Sequence, residues 1–209
     1  MRATNVPGIL SATPKDLVHA AQELTKGDIA LHYGVPQPWI NIDPKHNVPV
    51  DKPFEYLINR WKCNLFGGNV LRKGGYEPPY YENQGKGEYP NANQWYKWSD
   101  KYAKSNNNHV HFQLIYEIPA ATLAEAQRRQ KISELLTLVQ PGDFVMVDHL
   151  GSGVQDGGHT RVAVANNFQT LHTVSFAQAR YDKSSVELEG VEQLLNEENI
   201  WLLRPNLKM

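Results

Sequence analysis

Along the chain the spacing of apolar residues changes from three-and-four to two, and that change sketches the elements. Thr13-Pro-Lys-Asp-Leu-Val-His-Ala-Ala-Gln-Glu-Leu24 reads as a short helix: Thr13 is the N-cap, Pro14 suits the first helical position and Gly27 ends it. Residues 34–50 carry Pro36, Pro38, Pro44 and Pro49 and are expected to be irregular. From Pro53, the residues Phe54, Leu57, Ile58, Trp61 and Leu65 follow helical spacing. One helix through this stretch would hold Cys63 in its middle. A break near Asn59, capping a second helix, places Cys63 in a first turn instead.

Residues 73–108 are rich in Gly, Pro, Asn and Tyr without a period and read as a long ordered loop. His109 to Tyr116 has strand character. Thr122 to Val139 is the clearest helix, amphipathic through Leu123, Ala126, Ile132, Leu135, Leu136 and Val139. Pro141-Gly142-Asp143 turns into Phe144-Val-Met-Val147, a buried-type strand, and a glycine-rich hairpin from Gly151 to Gly158 leads to a strand after His159. Gln169 to Phe176 is expected to pair with it across Asn166-Asn167, with a last strand near Ile200 to Leu203. Helices first and antiparallel strands last define an α+β class. The expected organisation is a single domain over 1–209, with an N-terminal extension at 1–50 and a loop insertion at 73–108.

At 209 residues the chain is long enough to bury a core without staples. A formal net charge of −1 argues against binding nucleic acid or acidic membrane by bulk charge. No apolar run approaches the roughly 20 residues that cross a bilayer, so no membrane insertion is expected. Met1-Arg-Ala-Thr-Asn-Val-Pro has no apolar stretch behind its one basic residue and is not an ordinary signal peptide. The expectation is synthesis in the cytoplasm, with a dedicated exporter if the protein works elsewhere. A single cysteine excludes a disulfide framework and a multi-cysteine metal cage.

That cysteine carries the candidate chemistry. A thiol in the first turn of a helix is favoured as thiolate by the helix dipole, and Lys62 and Arg60 add positive potential. His159, fixed by the strand behind it, is the candidate base. His172, across the expected hairpin, is the first candidate to orient His159; Asn166, Asn167 and Gln178 are alternatives. The Cys63 backbone N–H offers half an oxyanion hole. The aromatic run Tyr80-Tyr81, Tyr89, Trp95, Tyr96, Trp98 fits a wall for a glycan or peptide or, equally, core packing. Trp95, Tyr81 and Asn64 are the expected substrate contacts. His109 and His111 share a strand face in the manner of a zinc pair, but no third ligand stands near, so no metal is assigned. Asp148-His149 lines a cleft or ends a strand.

Three pieces, Lys62-Cys63-Asn64-Leu65-Phe66, Pro141-Gly142-Asp143-Phe144-Val145 and Gly158-His159-Thr160-Arg161-Val162-Ala163-Val164, resemble in order and spacing the NlpC family of papain-like cell-wall peptidases and the related CHAP amidases. The resemblance covers about residues 55–180. It implies a papain-like fold in which the cysteine helix packs on a C-terminal antiparallel sheet, with Cys63, His159 and a polar residue on the next strand, His172, as the triad. It also implies hydrolysis of amide bonds in peptidoglycan stem peptides without a cofactor. The family commonly has Asp-Cys-Ser-Gly where Lys62-Cys63-Asn64-Leu65 stands here, and the 74–108 loop has no family counterpart. Together with the missing signal peptide, the resemblance points to an antibacterial type VI secretion effector acting in the periplasm of a target cell. An immunity protein and a secretion-apparatus carrier would be its partners. The alternatives are a papain-fold toxin acting on a protein, as protease, deamidase or transglutaminase, and a non-catalytic binding module on the same scaffold.

Overall fold

The computed structural model describes residues 12–37, 61–80, 89–149 and 158–209. They form a mixed structure of helices and one antiparallel sheet, an α+β class. The expected break near Asn59, the Arg60 side chain, Tyr81 and most of the glycine-rich hairpin lie outside the described residues.

Helix α1 (Pro14–Glu23) begins as its sequence requires, with the Thr13 N–H and hydroxyl each donating to Asp16 Oδ2 at 2.7 Å. A short α2 (Gly27–Leu31) follows. Helix α3 (Cys63–Lys73) starts at the cysteine itself, with Lys62 as N-cap residue. The 73–108 stretch is not structureless, since Ala92–Trp98 forms a 3-10 turn that anchors it. Then come β1 (Phe112–Ile118), α4 (Glu125–Leu138), β2 (Phe144–His149) and β3 (His159–Asn166). The chain ends with α5 (Phe168–Leu171), β4 (Val174–Ala179), β5 (Ser184–Glu189), α6 (Val191–Leu194) and β6 (Glu197–Pro205).

Two expectations need correction. The segment from Gln169 is not a strand at first: Phe168–Leu171 makes a helical turn that ends at His172 in the left-handed region (φ 53°), and pairing begins only at Val174. A tight hairpin at Asn166-Asn167 is therefore replaced by a strand–helix–strand connection. Strand β5 was not anticipated at all.

The strands run in the order β1-β6-β2-β3-β4-β5, every neighbour antiparallel. Alternation along β2 sends Phe144 and Met146 to one face and Val145 and Val147 to the other. The first face carries α1, α3 and the Ala92–Trp98 turn, through Leu17, Ala20, Phe66, Val70 and Trp95. The second carries α4 through Ile132, Leu135 and Leu136. Within the expected N-terminal extension, α1 supplies part of this core through Leu17, Ala20 and Ala21.

Gly67 and Gly68, poor helix formers in mid-helix, are explained by close approach. A Cβ on Gly67 would lie 2.7 Å from Thr160 Cγ2, and one on Gly68 would lie 2.3 Å from the Tyr89 ring. The helix that begins with Cys63 therefore sits directly on β3. The Pro-Gly-Asp turn has a structural task as well. Gly142 takes φ 93°, and buried Asp143 accepts from Arg204 Nε and a second guanidinium nitrogen, both at 2.8 Å, clasping the start of β2 to β6.

Candidate functional site

Cys63 is the first residue of α3 and is 7% exposed. Its Sγ lies 3.9 Å from the Gly158 carbonyl oxygen. It also feels the backbone N–H of Thr160, so the thiol rests against the two peptide groups that flank His159. Gly158 is held in the left-handed region (φ 70°), where a Cβ would stand 1.7 Å from the Val147 oxygen. Only glycine fits there, which accounts for the Gly-His order in the sequence.

Alternation along β3 turns Thr160 toward α3 and His159 to the other face, shared with Ala163 and Phe176. Strand β4 pairs with β3 only from Val162 onward, leaving His159, Thr160 and Arg161 paired on the β2 side alone. Across that gap His159 Nε2 lies 2.7 Å from Gln178 Oε1. The thiol and the imidazole thus approach the same end of β3 from opposite faces, and no hydrogen bond joins them.

Gln178 is itself held. Its Nε2 donates to Glu189 Oε1 at 2.7 Å and to Glu187 Oε2 at 3.2 Å. Glu189, almost fully buried, also accepts from Arg161 Nε at 2.6 Å and from an Arg180 guanidinium nitrogen at 2.6 Å. Arg161 reaches Glu197 at 3.8 Å, and Glu197 meets His149 Nδ1 at 2.7 Å. A buried Arg–Glu lattice therefore stands behind the His159–Gln178 pair.

Burial pushes the Cys63 thiol above its ordinary value; nearby backbone N–H groups, Thr160's foremost, and the Arg161 charge oppose this without reversing it. Burial, with Arg161 beside it, pushes His159 well below the usual histidine range despite the Gln178 hydrogen bond. The resting site thus pairs a neutral thiol with a neutral imidazole, not the expected thiolate. The Lys62 ammonium does not act on the sulfur as expected. It is buried and donates to the carbonyls of Gly34 and Gln37, and burial lowers its pKa to about 8.

The remaining expected residues divide clearly. His172 is exposed at the end of α5, next to the finish of β3 rather than its start, and packs edge-on against Phe168. The structure brings Gln178, not His172, to His159. Asn166 donates to the Leu136 and Val139 carbonyls and so ties β3 to α4, while Asn167 precedes α5 and is exposed. Trp95 is a core residue with no exposed surface, stacked 5.8 Å from Phe144 with its indole N–H donating to the Pro90 carbonyl. Asn64 donates to the Pro90 carbonyl at 3.1 Å and braces the same loop. Tyr89 and Trp98 are buried too, so the aromatic run is mostly core. Among the described residues, Trp61 and Tyr181 are exposed aromatics close to the start of α3 and meet edge to face at 5.7 Å. His111 is buried with Nδ1 at 2.9 Å from the Glu77 carbonyl, and among the described residues no cluster suited to a metal occurs. Asp148 accepts from Asn93 at 3.1 Å.

The sequence matches no family model, and comparisons with curated proteins and with solved structures return no match. Among the described residues no helix is long and apolar enough to cross a membrane.

Proposed function

We propose that this protein is a papain-like cysteine hydrolase that cleaves an amide bond, with Cys63 as nucleophile, His159 as base and acid, and Gln178 orienting His159. The observation that carries the proposal is the placement of the chain's one thiol, at a helix start, against the peptide groups flanking a histidine whose ring is held by a buried amide. In the first step the thiol proton passes to the imidazole as sulfur bonds to the carbonyl carbon. The same proton then goes to the departing amine, leaving a thioester that water cleaves. The backbone N–H groups of Cys63 and Asn64, at the helix start and without intrahelical acceptors, suit the oxyanion. Because thiol and ring lie on opposite faces at the start of β3, proton transfer in the proposed mechanism requires the ring to turn round that strand end, where β4 does not pair, as substrate binds.

The substrate proposed is a peptidoglycan stem peptide, on the resemblance of the Cys63, Pro141-Gly142-Asp143 and Gly158-His159 segments to the NlpC family. Delivery by a secretion apparatus into a target cell's periplasm, with an immunity protein as partner, belongs to the same proposal. Purified sacculi and muropeptides incubated with the protein should yield new amines detectable by mass spectrometry, and Cys63→Ala should abolish them. Products from a protein lysate but none from sacculi would redirect the proposal to a protein substrate. An undiminished rate in Cys63→Ala would overturn it.

A further inference from the structure

The hydrogen-bond inventory around Gln178 leaves only one consistent arrangement. Glu189 receives donors from Arg161, Arg180 and Gln178, and a guanidinium is always a donor, so this carboxylate acts purely as an acceptor. Glu187 likewise accepts from Arg180 at 2.8 Å and from Ser185 at 2.8 Å. Flipping the Gln178 amide would set its oxygen against both carboxylates. Its NH2 must therefore face Glu189 and Glu187, and its oxygen must face His159. An acceptor at 2.7 Å from Nε2 requires that nitrogen to carry the proton.

We infer that the buried Glu189 carboxylate is a positioning residue: acting through the Gln178 amide, it keeps the proton of His159 on Nε2 and leaves Nδ1 bare as the proton acceptor. Glu189 touches neither the thiol nor the imidazole. It sets the chemistry at second hand, and it ties the otherwise unexplained Arg161–Glu189–Arg180 lattice to the site. The inference deepens the hydrolase proposal, on which its catalytic meaning rests, but the tautomer is a property of the free protein and is read without turnover.

The test uses the full chain with 15N-labelled histidine, the His159 signals being assigned by their loss in His159→Gln. At neutral pH the ring is neutral, because burial and Arg161 disfavour its charged form, so nitrogen shifts and couplings report the tautomer directly. The wild type is expected to show Nε2 protonated and Nδ1 unprotonated. Glu189→Gln supplies a donor where only an acceptor stood, lets the amide turn over, and is expected to give mixed tautomers. If turnover of muropeptides has been established, kcat falls about tenfold or more with KM unchanged. Glu187→Gln, which leaves the shorter Glu189 bond in place, is expected to retain the wild-type tautomer. Should Glu189→Gln fail to fold, Gln178→Leu removes the amide instead, and the Nε2 preference must then disappear. A wild-type ring protonated on Nδ1, or a tautomer unchanged by Glu189→Gln or Gln178→Leu, overturns the inference. A correct tautomer in a protein without hydrolase activity would sink only the hydrolase proposal.

Discussion

Gly158→Ala is the substitution whose cost follows most directly from the backbone geometry. The added Cβ would stand 1.7 Å from the Val147 oxygen and 2.8 Å from the Val147 carbonyl carbon, both backbone atoms of a central strand with no side chain to swing aside. A carbon–oxygen contact settles at about 3.3 Å, so β2 and the start of β3 must part by roughly 1.5 Å. The left-handed φ of 70° adds strain for any residue with a Cβ, about 1–2 kcal/mol. Overpacking of a rigid site adds about 1–3 kcal/mol, for a total of about 2–5 kcal/mol. A chain of this length loses about 2–4 °C of melting temperature per kcal/mol, so a drop of roughly 4–20 °C is expected. Gly27→Ala is the control. Its φ of 54° is equally left-handed, but nothing lies within 4 Å of its Cβ, so it carries the strain alone. Thermal unfolding followed by circular dichroism compares the two. The same displacement moves the Gly158 carbonyl and the His159 backbone, and under the proposed hydrolase mechanism a misplacement of about 1 Å would cost on the order of a hundredfold in rate. If Gly158→Ala melts within about 2 °C of Gly27→Ala, the close β2–β3 approach, and the placement of His159 that depends on it, is wrong.

Alkylation of Cys63 by iodoacetamide should rise with pH around a midpoint above the free-thiol value of about 8.5, because burial outweighs the surrounding N–H groups; a midpoint well below 8 would show a preformed thiolate and refute the neutral resting pair. Lys62 titrates at about 8 when folded and near 10.4 when unfolded. The unfolded chain therefore holds more protons between those values, and stability should rise with pH across that window. Lys62→Met should flatten the rise in chemical denaturation at a series of pH values, and an identical slope in both proteins would dismiss the buried-ammonium account. Trp95→Ala should destabilise by about 3–5 kcal/mol, as expected for a fully buried indole, with wild-type affinity for peptide fragments in whatever folded protein remains. A selective loss of affinity with stability intact would restore Trp95 as a substrate contact.

Helix α4 was legible because Ile132, Leu135 and Leu136 follow a helical period and face one core. The start of α3 at Cys63 was not legible from spacing, which ran unbroken from Phe54 to Leu65, and Gly67 and Gly68 are explained only by contacts with Thr160 and Tyr89 that no local pattern contains. Strand β5 was illegible for the opposite reason. In Ser184-Ser-Val-Glu-Leu-Glu189 the apolar residues Val186 and Leu188 are 45% and 64% exposed, while Glu189 is 2% exposed. The usual alternation is inverted because the inward positions serve Arg161, Arg180 and Gln178. A strand that buries a glutamate looks like a solvated loop until its cationic partners are known, and these lie elsewhere, Arg161 on β3 and Arg180 in the turn after β4.

His172 failed as the expected orienting residue for a reason that antiparallel geometry already contains. His159 opens β3, so whatever meets it must come from the far end of the returning strand, whereas a residue near the turn meets the finish of β3 at Asn166. Pairing of Val162 with Ala177 and of Asn166 with Val174 puts Gln178 one step beyond Ala177, within reach of His159, and leaves His172 before the strand begins. An amide in that place has a consequence that a histidine would not. An imidazole can donate or accept by exchanging tautomers, but an amide must be told which way to face. The buried Glu189 carboxylate supplies that instruction, and its own charge is matched by Arg161 and Arg180. The choice of Gln178 over a histidine thus accounts for the otherwise costly burial of Arg161 and Glu189 on the face of the sheet away from the cysteine helix.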